Sequence, residues 1–102
     1  MKHQPIEDGA TALPIARAFL DTGGRFIISP EGKLEAIPNI LRIFGSEKHP
    51  VDPNESRRGY VIARRLFRRL RNKRFARSVQ ALVVTDGTPT PNGWLVLEGG
   101  AA

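Results

Sequence analysis

The chain has 102 residues, a length that suits one small domain, residues 1–102, with a modest hydrophobic core. Its hydrophobic content of 40% and charged content of 25% are typical of a soluble globular protein and exclude wholesale disorder. It has no cysteine, which excludes disulfides and cysteine-based zinc sites, and its net charge of +6 favours a polyanionic partner, chiefly nucleic acid.

The N-terminal part predicts a flexible end followed by a short helix. Residues 1–9 show no periodicity, and together with residues 99–102 they are expected to be the flexible ends of the domain. After Thr11 the apolar residues recur at helical spacing until Gly23 and Gly24 end the helix. The residues at helical spacing are Leu13, Ala16, Phe19 and Leu20.

Residues 26–44 predict a β-hairpin and then a second short helix. Two short apolar runs, residues 26–28 and 34–37, flank a Ser-Pro-Glu-Gly turn and are the expected arms of the hairpin. The next apolar run is too short for its period to distinguish helix from strand. Pro38 in a first-turn position and Gly45 just beyond the run favour a brief helix.

A long basic helix is the clearest element in the sequence. Asp52 is the expected N-cap, Pro53 takes the first helical position, and Glu55 is spaced to reach back to the cap. After Leu70 the amphipathic pattern fails, and Asn72 adopts a left-handed C-terminal conformation more easily than most residues. We therefore expect a helix from about residue 53 to about residue 72.

The basic segment, residues 57–77, contains ten of the sixteen Lys and Arg residues of the chain and no Asp or Glu. At about 100° per residue, its apolar and basic side chains separate onto opposite faces of the helix. The predicted apolar face consists of Tyr60, Ile62, Ala63, Leu66, Phe67 and Leu70. The predicted arginine face consists of Arg57, Arg58, Arg64, Arg65, Arg68, Arg69 and Arg71, with Val61 among them.

The C-terminal part predicts a second hairpin. Residues 79–85 are rich in β-branched side chains and predict a strand, residues 86–93 are rich in turn formers, and residues 94–97 predict the partner strand. The predicted fold class is α+β: a short N-terminal helix, a β-hairpin, a short helix, a long basic amphipathic helix and a C-terminal β-hairpin. From about residue 38 this order resembles a winged helix, in the order of elements alone.

The aromatic residues are predicted mainly to fill the core. Trp94 alternates with Leu and Val in a predicted strand, which is typical of a buried position. If Trp94 or Tyr60 were instead exposed beside arginines, its ring could stack on a nucleic-acid base. The other core candidates are Phe19, Phe26, Phe44 and Phe67.

The basic segment predicts contact with nucleic acid, either DNA or RNA. The planar guanidinium group of arginine can bridge two phosphate oxygens and stays ionised throughout the physiological range. Contacts of this kind position a protein on the phosphate backbone without reading base sequence. The expected contacts are Arg57, Arg58, Arg64, Arg65, Arg68, Arg69 and Arg71, with Lys73, Arg74 and Arg77 as auxiliary residues.

An alternative hypothesis is a protein–protein interaction module, either an adaptor or an inhibitor. Its arginine face would then bind an acidic protein surface or complete a homodimer. Attachment to a membrane is disfavoured, because the apolar face of the basic helix is expected to supply the core of so small a domain.

The sequence predicts no catalytic, metal or cofactor site. His3 and His49 fall in predicted loops without a third ligand at useful spacing. No Ser-His-acid arrangement or phosphate-binding glycine motif is recognisable, so a non-enzymatic protein is expected. Because no apolar run approaches the length of a membrane span and no apolar leader is evident, a cytoplasmic location is expected.

Overall fold

The computed structural model describes residues 9–99, and side chains from residue 13 onward. Within that range the chain forms four helices and four strands in an α+β arrangement, which confirms the predicted fold class. The helices are α1 (Gly9–Asp21), α2 (Ile40–Phe44), α3 (Pro53–Arg69) and α4 (Lys73–Asp86). The strands are β1 (Arg25–Ile28), β2 (Leu34–Ile37), β3 (Thr88–Pro89) and β4 (Leu95–Glu98). Most of the predicted flexible ends, residues 1–8 and 100–102, lie outside the described range.

The four strands form one antiparallel sheet in the order β2-β1-β4-β3. The two predicted hairpins are therefore joined, because β1 pairs with β4 from the far end of the chain. In this pairing Phe26 lies opposite Leu97, and an ion pair of 3.9 Å between Arg25 and Glu98 closes one end of the register. The first arm of the C-terminal hairpin is only Thr88–Pro89.

The strand predicted for residues 79–85 is wrong, because these residues belong to α4. A strand would bury Ala81 on the same face as Val79 and Val83, yet Ala81 is exposed while both valines are fully buried. The buried residues of α4 instead follow helical spacing, and good helix formers such as Gln80 and Leu82 separate the valines. The resemblance to a winged helix fails for the same reason. It requires a two-stranded wing directly after the basic helix, and α4 follows that helix instead.

The start of α3 matches the prediction, but its end does not. The backbone N–H of Glu55 donates a hydrogen bond of 3.3 Å to the Asp52 carboxylate, as expected of an N-cap. The Glu55 carboxylate does not reach back to the cap; it pairs with Arg42 of α2 at 3.6 Å. The helix ends at Arg69, and Asn72 has an extended backbone and caps α4 by accepting a hydrogen bond of 3.0 Å from the Phe75 N–H.

One hydrophobic core fills the space between α1, α3, α4 and the sheet. The rings of Phe19 and Phe26 pack with their centroids 5.2 Å apart, and Leu66 and Phe75 are fully buried beside them. The other core residues are Ala16, Leu20, Ile28, Ala63, Val79 and Val83. Burial of these side chains supplies most of the free energy that holds the elements together.

The short helix α2 packs against the first half of α3. Asn39 caps it by accepting a hydrogen bond of 3.2 Å from the Arg42 N–H, so Pro38 precedes the helix and does not occupy its first turn as predicted. The Ser56 hydroxyl of α3 donates a hydrogen bond to the Ile43 carbonyl. Gly59 permits this close approach, because a Cβ atom there would lie 3.3 Å from Ile43 Cγ1.

Three predicted core aromatics are substantially exposed instead. Phe44 on α2 is 70% exposed, and Tyr60 and Phe67 on α3 are 48% and 40% exposed. For Tyr60 and Phe67 the reason is that α1 and α2 cover only part of the broad apolar face of α3, which is centred on Gly59, Ala63 and Leu66. Tyr60 and Phe67 lie at the edge of that covered arc.

Candidate nucleic-acid interface

Helix α3 carries six of the predicted arginines in two rows. The helical repeat places Arg57, Arg64 and Arg68 within about 40° of one another, a set that we call the first row. Arg58, Arg65 and Arg69 form the second row, about 100° further around the helix. All of them are exposed except Arg69, which is partly buried. A row of this kind presents one positive charge every one or two turns.

The first row lies beside two aromatic residues on the same exposed side of α3. Tyr60 and Phe67 are seven residues apart, so they are almost aligned along the helix, about two turns from each other. We call these two residues the aromatic stripe. The guanidinium carbon of Arg64 lies 5.8 Å from the centroid of the Tyr60 ring, which is within the range of a cation–π contact.

The second row faces a different environment. Arg58 lines a depression of about 290 Å³ together with Asp21, Arg42 and Glu55, in which Glu55 pairs with Arg42. Arg65 lies over the groove between α1 and α3. The second row therefore borders α1 and α2, whereas the first row is bordered by aromatic side chains.

The remaining cations of the basic segment lie beyond α3. Arg71 is exposed in the three-residue connection between α3 and α4, and Lys73, Arg74 and Arg77 are exposed in the first turns of α4. At the junction, the Arg69 guanidinium lies 5.2 Å from the centroid of the buried Phe75 ring. The single predicted helix is therefore two helices, and its cations divide between them.

Carboxylate neutralisation of the basic segment is sparse in the part of the chain that the structure describes. Salt bridges within 4.0 Å form at Arg25 with Glu98 and at Arg42 with Glu55, both outside the basic segment. In residues 13–99, no carboxylate oxygen lies that close to Arg57, Arg58, Arg64, Arg65, Arg68, Arg71, Lys73, Arg74 or Arg77. The positive charge of these nine exposed residues thus faces solvent.

The sequence named Tyr60 as a stacking residue only if it were exposed and placed Phe67 in the core, so the aromatic stripe was not predicted as a surface. The helical wheel assigned both residues to the apolar face, although both lie at its boundary with the arginines. That boundary position was the available signal. Trp94, the other residue considered for base stacking, is partly buried, and the arginines that lie over aromatic rings contact Tyr60 and Phe75 instead.

The described residues contain neither a cluster of metal ligands nor a helix that could span a membrane. No group of three or more His, Asp or Glu side chains there is arranged to hold a metal ion. No helix in residues 9–99 combines the length and the apolar character required to cross a membrane. His3 lies outside the described residues, and His49 is exposed in the connection between α2 and α3.

Comparison with known proteins returned no relative of this chain. No protein-family model matches it, and neither the curated proteins nor the solved structures contain a significant match. The function must therefore be inferred from the arrangement of the side chains themselves.

Proposed function

We propose that this protein is a small non-enzymatic nucleic-acid-binding domain that lays the arginines of α3 along a phosphate backbone. The observation that carries the proposal is the exposed first row, Arg57, Arg64 and Arg68, which no described carboxylate neutralises within 4.0 Å. Phosphate oxygens would supply the missing negative charge, and arginine binds them with strong charge-assisted hydrogen bonds. The proposal includes the cytoplasmic location expected from the sequence.

The start of α4 supports the same proposal. Lys73 and Arg74 lie in the first turn, where the helix dipole is positive and cationic side chains are unfavourable. Arg71, just before the N-cap Asn72, adds to this positive potential. An anion bound at the junction of α3 and α4 would relieve the repulsion, so we assign Arg71, Lys73, Arg74 and Arg77 an auxiliary role in phosphate contact.

The test is a titration of labelled DNA and RNA at several NaCl concentrations, followed by fluorescence anisotropy. The logarithm of the association constant should fall linearly with the logarithm of the NaCl concentration, because each contacted phosphate releases condensed counterions. Arg68→Gln should weaken binding to all base sequences alike and reduce the magnitude of the salt slope by about one unit. Arg25→Gln is the matched control, since Arg25 lies on β1 and is paired with Glu98. Binding that is independent of salt would contradict the proposal.

A second candidate function is the protein–protein interaction module, in which this chain binds an acidic protein surface or a second copy of itself. The observation that favours it is α2, where Ile40, Leu41 and Phe44 are each more than half exposed. Apolar side chains clustered in this way are typical of protein interfaces. Sedimentation after nuclease treatment distinguishes the two candidates. A dimer that persists in high salt and lacks nucleic-acid absorbance would favour the second one.

A further inference from the structure

The aromatic stripe gives α3 a property that phosphate contact alone does not require. A purely electrostatic surface has no need of exposed aromatic rings, and removing Tyr60 from water would be favourable for a domain of this size. Tyr60 nevertheless remains 48% exposed, beside the first row of arginines. It is also the only tyrosine in the chain.

The geometry around Tyr60 suits a flat apolar partner held next to a phosphate chain. Arg64, one turn further along α3, lies over the ring at 5.8 Å and so brings a cation next to an exposed aromatic surface. Arg57 precedes Tyr60 by one turn and adds a second cation on the same side. A nucleotide presents the complementary groups, a flat base and an adjacent phosphate.

Phe67 extends this surface along the helix axis. It lies about 10 Å from Tyr60 along α3, calculated from the helical rise, and is 40% exposed. Its ring also packs edge-on against the core ring of Phe19, with centroids 6.2 Å apart. Phe67 is therefore fixed in position by the core, while Tyr60 is the more accessible ring of the stripe.

We infer that the first row and Tyr60 together bind single-stranded nucleic acid, with an unpaired base stacked on the Tyr60 ring and the flanking phosphates held by Arg57 and Arg64. This inference rests on the proposed function and specifies its substrate class. In a duplex the faces of the bases are already stacked within the helix, so Tyr60 would gain no partner there. Stacking on aromatic side chains tolerates any base, which agrees with an interface built from phosphate contacts.

The experiment compares three ligands by fluorescence anisotropy at one salt concentration. They are an oligothymidylate of about 15 nucleotides, a strand of the same length whose sugars carry no bases, and a duplex of that length. The strand without bases keeps the phosphate charge and loses the stacking. We expect the wild-type protein to bind the oligothymidylate roughly fivefold or more tightly than the strand without bases.

Variants of α3 assign the difference to Tyr60. Tyr60→Ala should lose this preference while keeping its affinity for the strand without bases, and Tyr60→Phe should retain the preference. Val61→Ala is the matched control, because Val61 is the next residue, is similarly exposed and has no ring. Circular dichroism establishes that each variant is folded.

Quenching of tryptophan fluorescence reports directly whether a base stacks at position 60. In the double variant Tyr60→Trp, Trp94→Phe the only tryptophan lies at position 60. Its fluorescence should be quenched by the oligothymidylate and not by the strand without bases. Quenching by both strands to the same degree would contradict stacking.

The outcomes separate this inference from the proposed function. If all three ligands bind equally and Tyr60→Ala has no effect, the inference is overturned while phosphate binding stands. If none of the ligands binds, both proposals fail. If wild-type protein sediments as a dimer and Tyr60→Ala converts it to a monomer, the aromatic stripe is a protein interface and the inference is overturned.

Discussion

Val83 and Val84 are neighbours in the sequence with opposite surroundings. Val83 is fully buried in the core, whereas Val84 is 60% exposed on the outer side of α4. The two residues have the same side chain, lie in the same helix and are at nearly the same distance from its end. They therefore isolate the effect of burial from the effects of chemistry and of helix propensity.

Val83→Ala should lower the free energy of unfolding by about 1–3 kcal/mol, because it removes two buried methyl groups and leaves a cavity. Val84→Ala should change it by about 0.5 kcal/mol or less. Urea denaturation followed by circular dichroism measures both values. Equal losses for the two variants would mean that residues 73–86 do not present the buried face described for α4.

The connection between α3 and α4 determines the shape of the basic segment. A helix that continued past Arg69 would have carried Arg71, Lys73 and Arg74 on one rod with the rest. Instead Leu70 ends α3, and the side chain of Asn72 begins a new helix by accepting the Phe75 N–H. Burial of Phe75 then fixes α4 against the core.

Asn72→Ala should cost about 1 kcal/mol of stability, because the first turn of α4 loses its side-chain acceptor. Asn72→Asp should retain most of the stability, since a carboxylate accepts the same hydrogen bond. Asn54→Ala, in the exposed first turn of α3, is the control and should be nearly neutral. Thermal and urea denaturation provide the comparison. A neutral Asn72→Ala would show that the cap contributes little to α4.

Repulsion between the arginines of α3 lowers the stability of the whole molecule. Like charges repel at Arg64 and Arg68 and at Arg65 and Arg69, which are four residues apart on α3. Each such pair costs a few tenths of a kcal/mol, and together with their neighbours they amount to about 1 kcal/mol at low salt. The free protein therefore retains repulsion that a polyanion or added salt can screen.

The melting temperature of the free protein should rise when NaCl is increased from low to physiological concentration. A gain of about 1 kcal/mol corresponds to about 4–8 °C for a domain of this size. The triple variant Arg57→Gln, Arg64→Gln, Arg68→Gln should lose about half of this dependence, because it removes the Arg64/Arg68 pair and keeps the Arg65/Arg69 pair. Calorimetry at several NaCl concentrations measures the melting temperatures of the wild-type protein and the variant. A melting temperature of the wild-type protein that does not respond to NaCl would show that the arginines are already neutralised.

The sequence by itself determined the features that depend on near neighbours. The concentration of charge in residues 57–77 is a matter of composition, and the start of α3 follows from the local chemistry of Asp52 and Pro53. The first hairpin was predictable for the same reason, because its arms flank a short turn.

Only the tertiary structure decided the features that depend on distant residues. Residues 79–85 have β-branched side chains that suit a strand, yet burial of Phe75, Val79 and Val83 on one side favours a helix. The pairing of β1 with β4 joins segments that are far apart in the sequence. The exposure of Tyr60 follows from where α1 and α2 dock on α3, because a helical wheel shows which residues share a face but not how much of that face a neighbour covers.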